Sequence, residues 1–387
     1  MSLKKKITAC LEKAVDNREA AGISVLIERE GQEWCYAQAG MADIASGKPI
    51  ARDAIFRLYS QSKPVTAAAA MILADRGVID LMDGVDKYLP GFRNPRVVQP
   101  DGKVVPAPRA PWIIDLLSMT SGLVYPDADP AGQYAAAVFE EDQRLIREGG
   151  GMDTLTFCNR LGEQPLAFQP GTHWRYGTSA DVLGAVIEAA SGMPFGEFLR
   201  GEIFEPLGMK DTGFYVPEEK RDRLVTCYER TEEGLKEFSD LHLAVGRYDR
   251  APAFESGGAG LVSTLDDYMA FARMLMNGGK TGGKRILSGA AVRFMTSSQL
   301  TGEVRRDMWD SLNGYNYSCL MRICEHPGKT AHLGTRGEYG WDGWLGTYFA
   351  NLPEEKTTFL LCLNAKDTGT ASVTRKCRNI LAAELSD

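Results

Sequence analysis

Three short stretches of this 387-residue chain bring together residue types suited to acyl-transfer chemistry. The first is Ser60-Gln61-Ser62-Lys63, preceded by the apolar run Ile55–Tyr59 and followed by Pro64-Val65-Thr66 and an alanine-rich segment. Ser60 stands where an extended stretch gives way to a helix, a position serine favours, and Pro64 in the first turn loses no helical hydrogen bond. Lys63 follows three residues on, about one turn, so its amine faces the Ser60 hydroxyl. Free backbone N–H groups at a helix start complete the parts of an activated nucleophile: hydroxyl, amine base and oriented donors. Ser-x-x-Lys alone is a short pattern, which Ser2 and Lys5 also satisfy, and Ser60 taken alone reads first as a plain helix cap.

The second stretch is Pro170-Gly171-Thr172-His173-Trp174-Arg175-Tyr176-Gly177-Thr178-Ser179, leading into the helical pattern 179–191. A phenol in such a loop, beside a lysine ammonium, is expected to have a lowered pKa and to shuttle protons. Otherwise Tyr176 is a half-buried tyrosine with its hydroxyl paired. The third stretch, Tyr339-Gly340-Trp341-Asp342-Gly343-Trp344-Leu345-Gly346-Thr347, alternates glycine with aromatics. That pattern marks a strand approached closely by another group, or a twisted strand whose glycines make room for tryptophan. An acyl substrate along its edge would receive the Trp344 N–H, which with the Ser60 N–H makes a two-donor oxyanion hole.

These elements must be held by a scaffold. Helical spacing is expected over 3–20, from Ser60 to about Arg76, and over 113–121, 131–147, 153–162, 179–191, 195–204 and 371–385. Ile23–Ile27 and Trp34–Gln38 flank Glu30-Gly31-Gln32 as a hairpin, and strand-like stretches return at Tyr315–Cys324, Gly346–Asn351 and Thr357–Asn364. The Pro- and Gly-rich run 90–110 reads as a long loop. Strands at both ends with helices between predict an α+β fold: an antiparallel sheet built from both termini, flanked by helices and interrupted by a helical lobe. The expected division is residues 1–75 with 255–387 as the sheet domain and 76–254 as the helical one, with the site at their junction.

The three stretches in this order resemble the serine β-lactamase and penicillin-binding-protein superfamily. The resemblance is to its class C-like branch, with class VIII carboxylesterases and related acyltransferases. Supporting stretches are Met119-Thr-Ser-Gly-Leu123, Ile203–Met209 with Asp211–Phe214, and Gly258–Thr264 with Asp267-Tyr268, so the likeness runs from about 20 to 365. It implies a β-lactamase/transpeptidase-like fold, Ser60 as nucleophile, Lys63 as its base partner, Tyr176 as proton shuttle, and the Ser60 and Trp344 N–H groups as oxyanion hole. Trp341, Gly343 and Trp344 would line the substrate. Two departures bear on substrate. Thr178 stands where the family's β-lactamases carry asparagine, and Trp341-Asp342-Gly343 where they carry Lys-Thr-Gly. Losing the lysine that meets a substrate carboxylate favours neutral acyl esters over penicillins. Asp342 would repel an anion if it pointed inward, and Arg336 or Lys329 would then be needed to restore a cation.

The expected function is a carboxylesterase acting on short or medium acyl esters through an acyl-serine. The alternatives are a β-lactamase, D-amino-acid peptidase or acyltransferase using the same residues, or an inactive ligand-binding member. A net charge of −7 disfavours nucleic acid as partner. No apolar run approaches the roughly 20 residues of a membrane span, and no apolar segment follows Lys4–Lys6 as in a secretory signal. The eight cysteines lack Cys-x-x-Cys spacing and read as reduced thiols of a cytoplasmic protein. The four histidines form no ligand pair, so neither metal nor cofactor is expected, and the partner is a small ester or amide substrate. There is no Gly-x-Ser-x-Gly elbow and no phosphate-binding glycine loop.

Overall fold

The structure, a computed structural model, describes residues 1–386. Its centre is an eight-stranded antiparallel sheet. Across the sheet the strands run Tyr315–Ser318, Met321–Cys324, Tyr339–Asp342, Tyr348–Leu352, Thr357–Leu363, Gly22–Arg29, Gln32–Asp43 and Lys48–Pro49. The two termini meet where Gly22–Arg29 pairs with Thr357–Leu363, in the register Val25 opposite Leu361 and Leu26 opposite Leu360. Both strands are apolar along their length because both faces are covered. Val25, Ile27, Phe359 and Leu361 turn toward the terminal helices Leu3–Asp16 and Ser372–Ser386. Leu26, Leu360 and Cys362 turn the other way, into the large core shared with the helical layer.

That layer contains the helix Lys63–Asp75, which is buried at every position from Lys63 to Leu73. It is therefore a core helix and not an amphipathic surface one. Ser179–Ser191, likewise buried through Ile187, packs against it. The α+β architecture is thus as expected, with several local differences. Residues 96–106 are not plain loop but carry a small antiparallel pair, Arg96–Val98 with Val104–Pro106. Tyr315–Cys324 is two strands, because Cys319 and Leu320 both take positive φ (43° and 62°) and close a tight turn. The stretch 195–204 is broken into Phe195–Leu199 and a π turn, Arg200–Phe204, ahead of Glu205–Leu207. Two helices that periodicity did not flag, Leu265–Met276 and Gly289–Met295, lie on the core side of the sheet.

No single helix is long and apolar enough to cross a membrane; the bent pair Ser179–Ser191 and Phe195–Leu207 passes by composition together. All eight cysteines are free thiols, and all but Cys10 are buried.

Candidate active site

Ser60 does not begin the long helix. It sits in a 3₁₀ turn, Tyr59–Ser62, and the α-helix starts at Lys63 with Pro64 in its second position. No side chain caps that start: the Ser62 hydroxyl accepts instead from the Leu261 N–H at 3.1 Å. Tyr59, just before Ser60, is held at φ 46°, an uncommon conformation for a bulky residue. Its ring is buried and packed 5.0 Å from that of Trp344 and 5.8 Å from that of His242. The cap reading of Ser60 therefore does not hold, and its hydroxyl is turned to Lys63.

Lys63 is fully buried, and its Nζ lies 3.1 Å from Ser60 Oγ, 3.0 Å from the Tyr125 hydroxyl and 2.9 Å from the Gly258 carbonyl oxygen. The carbonyl can only accept, whereas each hydroxyl can donate or accept. A neutral amine placed so donates to Gly258, and its lone pair is available to the Ser60 hydroxyl proton. Burial lowers the Lys63 pKa to about 7, against the opposing pull of Asp181 and Asp342. Asp181, also buried, accepts from the Ser256 hydroxyl at 2.5 Å and the Gly258 N–H at 3.0 Å, which fixes the segment carrying the Gly258 carbonyl.

Tyr176 reaches the same point from the other side. Lys63 Nζ lies 4.6 Å from its ring centre, and its hydroxyl is in hydrogen-bonding reach of Ser60. The Trp341 indole N–H donates to the Tyr176 hydroxyl at 3.0 Å. The expected lowering of the phenol pKa is reversed. Burial raises it above the ordinary value, outweighing the hydrogen bonds from Ser60 and Trp341 that lower it. Tyr176 is thus a protonated donor across the working range. Its loop is braced on 119–123: the Arg175 N–H donates to the Met119 carbonyl at 3.0 Å, and the Ser121 and Ser179 hydroxyls pair at 2.8 Å. Gly177 makes that approach feasible, since a Cβ there would stand 2.2 Å from the Leu123 carbonyl oxygen.

The same bracing carries Tyr125, which sequence reasoning missed. Its ring is 5.8 Å from that of Tyr176. A single tyrosine in Leu123-Val124-Tyr125-Pro126 gives no local signal; only its place directly after Met119–Leu123 points to it. Removing its hydroxyl with Tyr125→Phe should shift the acid limb of the pH–rate profile and lower kcat/KM by up to roughly tenfold, the worth of one hydrogen bond to a neutral amine. Steady-state kinetics across pH checks this.

On the third side, Trp341 is buried, and Gly343–Thr347 turns back onto the nucleophile segment. The Gly343 N–H donates to the Thr347 carbonyl at 2.8 Å, and the Thr347 hydroxyl donates to the Leu58 carbonyl at 3.0 Å. A Cβ on Gly343 would fall 2.2 Å from the Leu58 oxygen, so glycine is required there. Neither the Ser60 N–H nor the Trp344 N–H has a protein acceptor among the described residues. Gly343→Ala should cost about 1–3 kcal/mol of stability by overpacking. It should also lower kcat about a hundredfold by displacing the Trp344 N–H. Thermal denaturation and kinetics measure the two effects separately. His242 lies flat on Trp344, with ring centres 3.9 Å apart, and burial lowers its pKa to about 4. Sequence spacing does not reveal it, because His242 meets Trp344 only through tertiary stacking.

Thr178 is buried with its hydroxyl 3.5 Å from the Val124 carbonyl, and it is not among the hydrogen-bond partners of Lys63 Nζ. Asp342 accepts from the Thr370 hydroxyl and lies 3.6 Å from the buried Arg322. A cavity of about 350 Å³ beside Trp341 is lined by Arg322 and Arg375, whereas Arg336 and Lys329 do not line it.

The Beta-lactamase family matches residues 7–383. Esterase EstB of Burkholderia gladioli is 31% identical over 361 residues, covering 90% of this chain and 86% of that protein. Protein Rv1367c of Mycobacterium tuberculosis is 33% identical over 323 residues, covering 81% and 78%. Among solved structures, EstCE1, described as a hydrolase with promiscuous acyltransferase activity, superposes with a TM-score of 0.84 at 27% identity over 98% of both chains.

Proposed function

The chain belongs to the β-lactamase family and is a serine hydrolase of it, and from that premise we propose a carboxylesterase acting on small neutral acyl esters through an acyl intermediate on Ser60. The observation that carries this reading is the buried Lys63 amine, with its pKa lowered to about 7, lying 3.1 Å from Ser60 Oγ. In the proposed reaction Lys63 Nζ takes the hydroxyl proton as Ser60 Oγ attacks the ester carbonyl carbon. The carbonyl oxygen gathers charge between the Ser60 and Trp344 N–H groups. The Tyr176 hydroxyl gives its proton to the departing alkoxide and recovers one from the Lys63 ammonium. Water then attacks the acyl carbon, its proton passes back through the same pair, and Ser60 leaves reprotonated. We place the cleft between a sheet unit, 1–75 with 255–387, and a helical unit, 76–254, in a cytoplasmic protein. Its free thiols support that location.

Trp341, where the family lysine stands, supports esters over lactams: it offers an indole N–H already used by Tyr176 and no charge for a carboxylate. Parallel assays of p-nitrophenyl acetate, butyrate and octanoate against nitrocefin test this. Ester kcat/KM should exceed the lactam value by about 10² or more, the scale of discrimination when a charged contact is missing. Comparable or faster nitrocefin hydrolysis would overturn it. A second reading, acyl transfer to an alcohol, is supported by the likeness to EstCE1. It requires added alcohols to raise the rate of p-nitrophenol release and to appear in an ester product.

A further inference from the structure

A tight turn reaches Trp344 from the segment 238–248. His242 and Val245 pair in both directions, N–H to carbonyl oxygen, at 2.9 and 3.1 Å, and enclose the two residues Leu243 and Ala244. Both turn residues hold positive φ, 54° and 59°. Asparagine and glycine enter such a turn with little strain; leucine and alanine do not. A strained turn persists where the packing around it over-determines its shape. Here Leu243 and Ala244 pack with the main core, Val245 with Tyr59 and Leu345, and His242 with Trp344.

The His242 imidazole lies against both residues that adjoin the oxyanion donors. It is stacked on Trp344 with ring centres 3.9 Å apart and 12° between planes, and its centre is 5.8 Å from that of Tyr59. Tyr59 shares a peptide group with the Ser60 N–H, and Trp344 carries the other donor. Among the described residues neither ring nitrogen of His242 takes a hydrogen bond, so ring contact is what places it. Burial lowers its pKa to about 4, against the pull of Asp367, so the ring meets Trp344 as a flat, uncharged face. The indole is also held by its Nε1–H, which donates to Asp367 at 2.6 Å, and by Phe238 edge-on at 5.5 Å. Gly343 has no side chain and puts little torsional restraint on the peptide that carries the Trp344 N–H. The direction of that donor therefore depends on where the indole is held.

We propose that His242 is a positioning residue for the oxyanion hole, its ring holding Trp344 and Tyr59 so that the Trp344 and Ser60 N–H groups converge on one carbonyl oxygen. This role rests on the reading of those two N–H groups as the hole. It acts on the tetrahedral oxyanions of acylation and deacylation alike and not on ground-state binding of the ester, so it governs kcat and not KM.

Steady-state hydrolysis of p-nitrophenyl butyrate by wild type, His242→Phe and His242→Leu tests the proposal, with a melting curve beside each. Phenylalanine keeps a flat ring; leucine keeps bulk without one. His242→Leu should lower kcat about tenfold at unchanged KM, part of the ~10²–10³ lost when an oxyanion donor is removed outright. His242→Phe should hold kcat within about threefold of wild type, because ring-on-ring contact is kept. In a Trp344→Ala background no indole remains to be held, and His242→Leu should cost nothing further. Equal kcat in the Leu and Phe variants, a raised KM at wild-type kcat, or an undiminished loss in the Trp344→Ala background would overturn the proposal. Should His242→Leu fail to fold, His242→Gln serves as the variant without a ring. Gly343→Ala separates premise from inference: wild-type kcat there would remove the hole and this role with it. A loss there with none in His242→Leu would overturn the role of His242 alone.

Discussion

Ser60→Ala should lower ester kcat/KM by roughly 10⁴-fold or more while leaving the fold and thermal stability close to wild type. The hydroxyl is small, Ser60 is only partly buried, and its hydrogen-bond partners are Lys63 Nζ at 3.1 Å and the Tyr176 hydroxyl, so its loss opens no sizeable cavity. What remains after substitution is the pair of N–H donors and the walls of the cleft, which can polarise a carbonyl toward water but cannot form the acyl-enzyme. A fall of less than tenfold would mean that some other group attacks the ester. Circular dichroism and a melting curve run beside the kinetics separate loss of chemistry from loss of fold.

The second large effect concerns Lys63. Its pKa is lowered to about 7, and only the neutral amine can take the Ser60 proton. Below pH 7 the ammonium dominates and kcat/KM should fall about tenfold per pH unit; above it the rate should rise to a plateau. Burial raises the Tyr176 phenol above its ordinary pKa, so no alkaline limb from that group should appear below about pH 10. Lys63→Met should remove the acid limb altogether and lower kcat by on the order of 10³-fold. A wild-type profile whose acid limb sits near pH 4 would assign the essential base to a carboxylate instead. The same limb unchanged in Lys63→Met would do so too.

The parts of the site legible in the sequence were those written in local spacing. Ser60 and Lys63 are three residues apart near a helix start, and the Gly–Trp alternation of 339–346 reads as a strand whose glycines admit a close neighbour or packed tryptophans. Tyr176 was legible from its loop and from the resemblance carried by the ordered motifs. Tyr125 and His242 were not, because each reaches the site through tertiary packing: one through the brace between 119–123 and 170–179, the other by lying on Trp344. The direction of the Tyr176 pKa shift was misjudged for a related reason. Sequence shows the neighbouring amine but not the burial that pushes the phenol up and the amine down.

The fold was legible at its termini, where apolar strands had to pair to bury both faces. It was less so where turns lacked their usual residues. Cys319-Leu320 closes a hairpin with two positive φ values and neither glycine nor asparagine, so 315–324 reads as one strand. The 3₁₀ turn before Lys63 is equally silent in sequence, being set by the docking of Leu58 under Thr347 and of Ser62 on Leu261. The helix Leu265–Met276 did carry a signal: Thr264 accepts from the Asp267 N–H at 3.2 Å, the geometry of an N-cap.

The most direct test of the central claim is intact-protein mass spectrometry after brief exposure to p-nitrophenyl butyrate, quenched in acid and followed by peptide mapping. The account predicts one added butyryl group, located on the peptide carrying Ser60 and absent from Ser60→Ala. A protein that turns the ester over with no adduct, or with the adduct on another residue, would contradict it.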